Sequence, residues 1–313
     1  MTTTIIVDSC LYLAALVFVL ACVGRAVRYA RFPLHLRWEL YPVPHEAAAR
    51  VAHGGSYFEE SDWWQKPLRF NWLGEWKAML PEMLFQKALW EFNRGMWFLS
   101  YPFHFGLYLL AGSTGLLGGR ALCTLWAPNL LAGEIGLGLR YLNAVGFAAG
   151  AALAAAGALS LLVRRLTDAN LANYTAPGDL FNLVSFVVTL GCLAGGYLVR
   201  PAGTPHALAV ACGVLTFDTG VHLPALLATG LIMSALLTAY IPLTHMSHFM
   251  AKYFTYHAVR WDDRPNVKGS ELARRMAEYL TYRPRWAAPH VGADGARTWA
   301  EIAALNPARG AKK

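Results

Sequence analysis

Charged side chains are scarce in this sequence. Asp, Glu, Lys and Arg account for 15% of its 313 residues, whereas 56% are hydrophobic. A soluble domain carries about 25% charged residues, so this composition argues against an ordinary soluble globule, and its apolar content excludes a disordered chain. A formal net charge of +8 on so apolar a chain favours a membrane protein over a nucleic-acid-binding protein.

Motifs that hold common cofactors are also missing. The cysteines are scattered and form no C-x-x-C or C-x-x-C-H pattern, which argues against c-type haem and an iron–sulfur cluster inside the chain. The sequence has no P-loop and no G-x-G-x-x-G fingerprint, so nucleotide chemistry would need another subunit. It has no internal repeat either, and this argues against most secondary transporters.

Long apolar runs are abundant. A helix needs about 20 residues to cross the roughly 30 Å of hydrocarbon in a bilayer. Runs of this kind cover residues 5–24, 96–118, 136–163, 180–199 and 224–250. Their apolar residues surround every helical face, which is typical of buried or lipid-facing helices. The sequence therefore predicts an all-α integral membrane protein with a bundle of five transmembrane helices. The apolar stretch at 206–217 is too short to span and predicts a loop or a re-entrant piece.

The basic residues predict an orientation. Of the 27 Lys and Arg residues, ten fall between 25 and 94, two between the third and fourth runs, and twelve from 252 onward. These 24 residues share one side of the membrane if the N-terminus is outside, and basic residues favour the cytoplasmic side. We therefore expect an outside N-terminus, a cytoplasmic C-terminus and a bacterial or archaeal cytoplasmic (inner) membrane.

Two polar segments lie outside the predicted spans. Residues 25–95 form a long cytoplasmic insertion between the first two helices, and its many tryptophans predict that part of it lies along the membrane surface. Residues 251–313 form a cytoplasmic tail with an amphipathic helix near 270–282 and a loose end. Histidines in these segments are expected to be exposed or interfacial side chains: His35, His45, His53, His257 and His290.

Three histidines fall inside the predicted spans. His104 lies in the second run, and His245 and His248 lie in the fifth, all in the cytoplasmic half of the membrane. A polar ring in hydrocarbon is costly unless it is paired or ligated. Each ring could bond to a neighbouring helix carbonyl, but two facing helices that offer imidazoles at one depth favour a haem iron. Small residues of the second run would leave room for a flat macrocycle: Gly106, Gly112 and Gly115.

Two phrases of the sequence resemble a known family. One is IPLTHMSHFMAKYFTYH from residue 241, which closes on RWDDRP at 260–265, and the other is PLHLRWELYPVPHE at 33–46. Both are similar to the cytochrome b subunits of sulfate-reducer-type transmembrane redox complexes, which resemble the gamma subunit of respiratory nitrate reductase. The second run, with FHFGLY at 103–108, is similar to the start of the haem helix of that gamma subunit.

The resemblance implies haem b held by histidines of the second and fifth helices. By position, His104 and His248 match two of the family's ligands, and His245 ranks below His248 because the pattern has a non-ligand there. The other two ligand positions are Thr114 and Gly230. We therefore expect one haem b, on the cytoplasmic side, with iron bound by His104 and His248.

Other residues are candidates for supporting roles. Arg94 and Lys252, at the cytoplasmic ends of the haem helices, are placed to neutralise haem propionates. Asp218 and His222 are spaced i, i+4 and would share one face of a helix. Such a pair suits proton uptake from a quinol at the outer edge, although a helix cap or a surface ion pair explains it as well. A quinone site next to the inner haem is equally open.

The sequence thus favours a membrane-anchoring haem b subunit that is not a complete enzyme alone. It would exchange electrons between a membrane quinone, with menaquinone as the expected substrate, and a cytoplasmic iron–sulfur partner. The family resemblance implies that this partner resembles heterodisulfide reductase. A haem-free structural anchor is the main alternative, and a transporter is a weaker one because the spans have almost no polar residues near their centres.

Overall fold

A computed structural model describes residues 2–31, 42–67, 70–285 and 291–305 of the chain. The described residues are helical and contain no β-strand. His35 and His290 lie outside them, as does most of the phrase at 33–46.

The α-helices are numbered in chain order. They are α1 (Thr2–Ala30), α2 (Ala48–His53), α3 (Trp72–Phe85), α4 (Lys87–Phe92), α5 (Arg94–Trp126), α6 (Gly133–Thr167), α7 (Ala169–Ala172), α8 (Pro177–Leu198), α9 (Ala207–Thr216), α10 (Ala225–Tyr240), α11 (His248–Thr255), α12 (Glu271–Leu280) and α13 (Trp299–Ala303).

Four helices of the described chain are long and apolar enough to cross a membrane. They are Thr3–Ala30, Gly133–Thr167, Pro177–Leu198 and Ala225–Leu243. This composition indicates a multi-pass membrane protein. Helix α5 is 33 residues long but is not among the four, because His104, Arg120 and a run of glycines interrupt its apolar sequence.

Small residues let α5 and α6 approach closely. Gly106 of α5 lies against the backbone of Gly150 and Ala154 of α6. A Cβ atom added to Gly157 would come within 2.5 Å of the Phe103 nitrogen, so the two backbones touch at this level. Stripes of small residues are typical of helix pairs in membranes, where packing rather than hydrophobicity drives association. The crossing fixes the segment of α5 that carries His104.

Helix α10 ends inside the fifth predicted run. The structure differs here from the single helix expected over 224–250, since two 3₁₀ turns, Ile241–Leu243 and His245–Ser247, separate α10 from α11. Proline has no N–H and its ring clashes with the preceding turn, so Pro242 ends the α-helix. The side chain of Arg25 donates hydrogen bonds to the freed carbonyls of Pro242 (2.6 Å) and Leu243 (2.7 Å).

Three shorter predictions have different outcomes. The amphipathic helix expected near 270–282 is present as α12, and Ser270 caps it by accepting a hydrogen bond from the Ala273 nitrogen (3.1 Å). The stretch expected as a loop or a re-entrant piece is the ten-residue helix α9. The tail end, expected to be loose, includes the five-residue helix α13.

The chain divides into two compact units. The first unit comprises Met1–Arg25 and Ala78–Phe249, and it contains the helices α4 to α10. The second unit comprises Ala26–Lys77 and Met250–Lys313. Parts of the predicted insertion and of the predicted tail therefore belong to one compact body.

Trp261 lies at the centre of the second unit and is 2% exposed. Its ring contacts those of Tyr256, His45 and His257, with ring centroids 4.5, 6.1 and 5.8 Å away. Glu46 is also buried and accepts a hydrogen bond from the Ser56 hydroxyl at 2.7 Å. The contact of His45 with Trp261 joins residues that are more than two hundred positions apart in the chain.

Candidate functional site

The imidazole of His104 is held by its own helix. Its Nδ1–H donates to the backbone carbonyl of Ser100, one turn earlier, at 2.8 Å, and the Ser100 hydroxyl is 3.3 Å from the same nitrogen. A carbonyl oxygen can only accept, so Nδ1 carries the proton in the neutral ring. The lone pair of Nε2 is then available for another partner.

His248 has a matching arrangement. Its Nδ1–H donates to the carbonyl of His245 at 3.3 Å, a bond that the two 3₁₀ turns after α10 make possible. The His104 and His248 rings contact each other in a T-shaped arrangement, with centroids 6.1 Å apart and planes at 67°. The break after Tyr240 thus turns His248 toward α5, so two imidazoles from distant parts of the first unit meet.

Two imidazoles at this separation could hold one iron atom between them. Bonds from metal to imidazole nitrogen are about 2 Å long, so two rings bound to one metal have centroids no more than roughly 6 Å apart. Metal-bound histidines characteristically donate their other N–H to a carbonyl, as both rings do here. No group of three or more His, Cys, Asp or Glu side chains that could hold a metal occurs in the described chain. A haem supplies its own four equatorial nitrogens, so two histidines complete the coordination of its iron.

His245 has partners on α8 instead. Its Nε2 lies 3.3 Å from the Asp179 carboxylate and 3.3 Å from the Asn182 amide nitrogen. Asp179 also pairs with Arg165 at 3.3 Å and accepts a hydrogen bond from the Ala176 nitrogen at the start of α8. With its Nε2 so engaged, His245 is less available to an iron atom than His248, which agrees with its lower rank in the sequence.

The three glycines expected to leave room for a macrocycle differ in how closely neighbouring helices pack against them. Gly106 is packed against α6 and leaves no room on that side. Gly112 and Gly115 have no atom within 4 Å of an added Cβ, so these two positions keep space beside α5.

The positions that would carry a second pair of ligands have other contacts. The Thr114 hydroxyl donates to the carbonyl of Leu110 at 2.8 Å within α5. Gly230 of α10 touches the backbone of Cys192 and Leu193 of α8, where an added Cβ would meet atoms at 2.8 to 3.0 Å. Helix packing therefore fills the position of a ligand on α10.

The outer pair lacks the helix that was expected to align it. Helix α9 ends at Thr216 and α10 begins at Ala225, so neither Asp218 nor His222 is helical. The Asp218 carboxylate accepts a hydrogen bond from the Gly220 nitrogen at 2.9 Å, as in an Asx turn. Both side chains are exposed. The structure therefore favours the turn-forming role for Asp218 over a joint role with His222.

The two cations assigned to propionates have aromatic partners. The Arg94 guanidinium lies 4.7 Å from the centroid of Trp90, within the first unit. The Lys252 ammonium lies 5.8 Å from the centroid of Tyr256, within the second unit. A role in neutralising propionates stays a prediction for both residues.

Two histidine–carboxylate pairs were missed in the sequence. His45 Nε2 lies 2.8 Å from the Asp263 carboxylate, and His257 pairs with Glu75. His45 is 8% exposed, so the expectation of an exposed or interfacial side chain is wrong for it. It is buried because Phe70 and Trp261 pack against its ring and Asp263 satisfies its polar edge. The first resembling phrase thus contacts the second.

Arg264 also has a carboxylate partner in this unit. Its guanidinium donates to the Asp262 carboxylate at 2.8 and 2.7 Å, and these hydrogen bonds raise the pKa of the guanidinium. Its charge is thereby held in a fixed position.

No protein-family model, no curated protein and no solved structure matches the chain. The family resemblance therefore stays a prediction, and the geometry of His104 and His248 is the main structural evidence on function.

Proposed function

We propose that this chain is the membrane-anchoring haem b subunit of a multisubunit redox complex. It would exchange electrons between a membrane quinone and a cytoplasmic iron–sulfur protein. The observation that carries the proposal is the contact between the His104 and His248 rings. Both rings bond to a backbone carbonyl through Nδ1 and leave Nε2 free for iron.

In this proposal the chain holds one haem b, which supplies a one-electron carrier when bound. His104 and His248 bind the iron, and the carbonyls of Ser100 and His245 keep each ring in the tautomer that binds metal. Gly230 packs against α8, which supports a single haem site. Arg94 is the cation of the first unit that is proposed for the propionates, and the assignment of Lys252 stays a prediction from the sequence.

The proposal includes five spans with an outside N-terminus. Helix α5 would cross beside the four more apolar helices, because α6 packs along it and would shield its polar residues. Asn143 of α6 supports this arrangement, since it donates to the Ser113 carbonyl at 2.7 Å and accepts from Arg120 at 3.1 Å. Polar groups that are satisfied between helices are tolerated at membrane depth.

The second unit is the proposed docking surface for the iron–sulfur partner, which would resemble heterodisulfide reductase. Most of the basic residues belong to the side that carries this unit in the predicted topology. Fixed charges such as Arg264 would steer and orient an acidic partner more than they would raise affinity.

The direct test is an absorption spectrum of the purified chain, reduced minus oxidised. We expect b-type bands, one haem per chain and reduction of the haem by a naphthoquinol in membranes that also contain the partner. A purified, folded chain with no haem signal would favour the haem-free anchor. A ratio of two haems per chain would contradict the single-haem proposal and would make His222 a ligand candidate.

A further inference from the structure

A cavity of about 340 Å³ lies where α3 ends, α4 follows and α5 begins. Its lining residues are Pro81, Phe85, Lys87, Trp90 and Trp97. All of them belong to the first unit. Sites for small molecules in proteins measure about 300 to 1,000 Å³ and are lined mostly by apolar and aromatic groups with a few polar ones. The cavity fits this description.

A strained residue creates the cavity. Gln86 separates α3 from α4 and has a φ of 52°, a left-handed conformation that costs roughly 1–2 kcal/mol in a residue with a side chain. The sharp turn brings Lys87 and Trp90 of α4 beside Pro81 and Phe85 of α3. The Gln86 Oε1 atom is buried and has no hydrogen-bond partner among the described residues. Strain and unsatisfied polar atoms of this kind concentrate at functional sites.

The aromatic walls are fixed before any ligand binds. The Trp97 indole donates to the Phe85 carbonyl at 2.8 Å and stacks on Tyr101, with centroids 4.5 Å apart and planes at 8°. Trp90 meets the Trp97 ring nearly edge-on at 4.8 Å, and the Arg94 guanidinium lies over it. A site whose side chains are already ordered loses less entropy on binding.

The lining selects a flat, uncharged ring with a hydrogen-bond acceptor at its edge. Indole and phenyl faces stack on a planar ring, and the Lys87 ammonium can donate to a carbonyl oxygen. The Glu91 carboxylate lies 3.6 Å from that ammonium, so the charge is partly neutralised and a phosphate would be bound weakly. An acyl chain would offer the ammonium no hydrogen-bond acceptor.

We propose that this cavity binds the headgroup of a membrane quinone, an inference that rests on the quinone-linked function proposed above. Trp97 lies seven residues before His104 on α5, which is about 10 Å along the helix axis. Trp97, Tyr101 and Phe105 stack in succession along that helix. Part of the site therefore lies on the same helix as a proposed haem ligand. It replaces the outer pair, Asp218 and His222, as the candidate quinone site.

The test measures binding of a short-chain naphthoquinone to the full chain in phosphatidylcholine nanodiscs. Equilibrium dialysis, corrected for empty nanodiscs, gives the Kd of wild type, Trp90→Leu, Lys87→Gln and Trp126→Leu. Trp126 is the matched control, because it is an indole of α5 that is 79% exposed and lies at the other end of the helix. Thermal denaturation confirms that each variant is folded.

We expect Kd to rise about tenfold in Trp90→Leu, from lost stacking and apolar contact, and about threefold in Lys87→Gln, because a charge-assisted hydrogen bond becomes a weaker neutral one. Trp126→Leu should bind as wild type does. Wild-type affinity in both cavity variants would overturn the proposal. So would equal competition by a long-chain alcohol without a ring, which would identify an acyl-chain site.

The two proposals fail separately in this design. Dialysis measures quinone binding whether or not haem is present. If the chain binds naphthoquinone through Trp90 but contains no haem, the haem proposal is rejected and the cavity proposal is retained. If the chain has a normal b-type spectrum but Trp90→Leu and Lys87→Gln bind naphthoquinone as wild type does, only the cavity proposal is rejected.

Discussion

At the scale of single residues, backbone carbonyls fix the orientation of the two histidines proposed to bind iron. The carbonyls of Ser100 and His245 take the Nδ1 protons of His104 and His248, whereas the side chain of His245 turns to Asp179. The sequence could predict the three histidines and rank them, because a polar ring in an apolar run is conspicuous. It could not predict the contact of His245 with α8, which depends on how distant helices pack.

His245→Ala should therefore retain haem. The substitution removes a ring that is bound to Asp179 and Asn182 but keeps the carbonyl that orients His248. We expect the haem-to-protein ratio of the purified variant to stay within about a fifth of the wild-type value, since neither proposed ligand is altered. A loss as large as that of His248→Ala would identify His245 as the ligand and would reject the assignment of His248.

The buried pair of His45 and Asp263 makes a prediction about stability. Both side chains are nearly buried, at 10% and 13% exposed, and leaving a buried polar group without its hydrogen-bond partner costs about 1–3 kcal/mol. We expect Asp263→Ala to lower the free energy of unfolding of the second unit by about 1–3 kcal/mol, measured by hydrogen exchange at residues 42–67. As a control, Glu271→Gln breaks an exposed pair with Arg274 and should leave exchange there unchanged.

At the scale of elements, four of the five predicted runs match single helices. The runs at 5–24, 96–118, 136–163 and 180–199 fall within or near α1, α5, α6 and α8, since hydrophobic length determines a span. Pro242 indicates that α10 ends nearby, but the apolar run on both sides of it favours one continuous helix, and the sequence prediction followed the run. The pairing of Arg25 with the freed carbonyls joins residues 217 positions apart, and no local pattern indicates it.

The α5–α6 crossing can be tested at Gly157. A methyl group added there would come within 2.5 Å of the Phe103 nitrogen, and overpacking of this kind costs about 1–3 kcal/mol. We expect Gly157→Ala to lower the midpoint of thermal denaturation and to weaken haem binding, because Phe103 precedes His104. Gly138→Ala, on the same helix with no atom near its added Cβ, is the control and should match wild type in both. Equal midpoints for the two variants would contradict the close crossing.

At the scale of the whole molecule, the number of spans decides where the chain ends lie. Five spans place the N-terminus and the C-terminal tail on opposite sides of the membrane, whereas the four apolar helices alone would place them on the same side. Charge asymmetry favours the proposed five spans, because that arrangement would place 24 of the 27 basic residues on one side. The sequence also could not predict the cavity at Trp90. Left-handed turns are usually recognised by a glycine, and this one falls on Gln86.

Cysteine accessibility separates these topologies. In a background without native cysteines, Thr2→Cys should react with a membrane-impermeant maleimide added outside intact cells. Ala303→Cys should react only after the cells are opened. Equal labelling of both positions from the outside would contradict the five-span arrangement and would require α5 to lie within one leaflet or at the surface.

The central claim is tested most directly by the haem content of His104→Ala and His248→Ala, with His222→Ala as the control. Each ligand variant should lose the wild-type reduced-minus-oxidised spectrum and regain a b-type spectrum when imidazole is added, because the free ligand replaces the missing ring. His222→Ala should keep one haem per chain. If both ligand variants are folded and retain full haem with an unchanged spectrum, the pair His104–His248 does not bind iron and the account of this site is wrong.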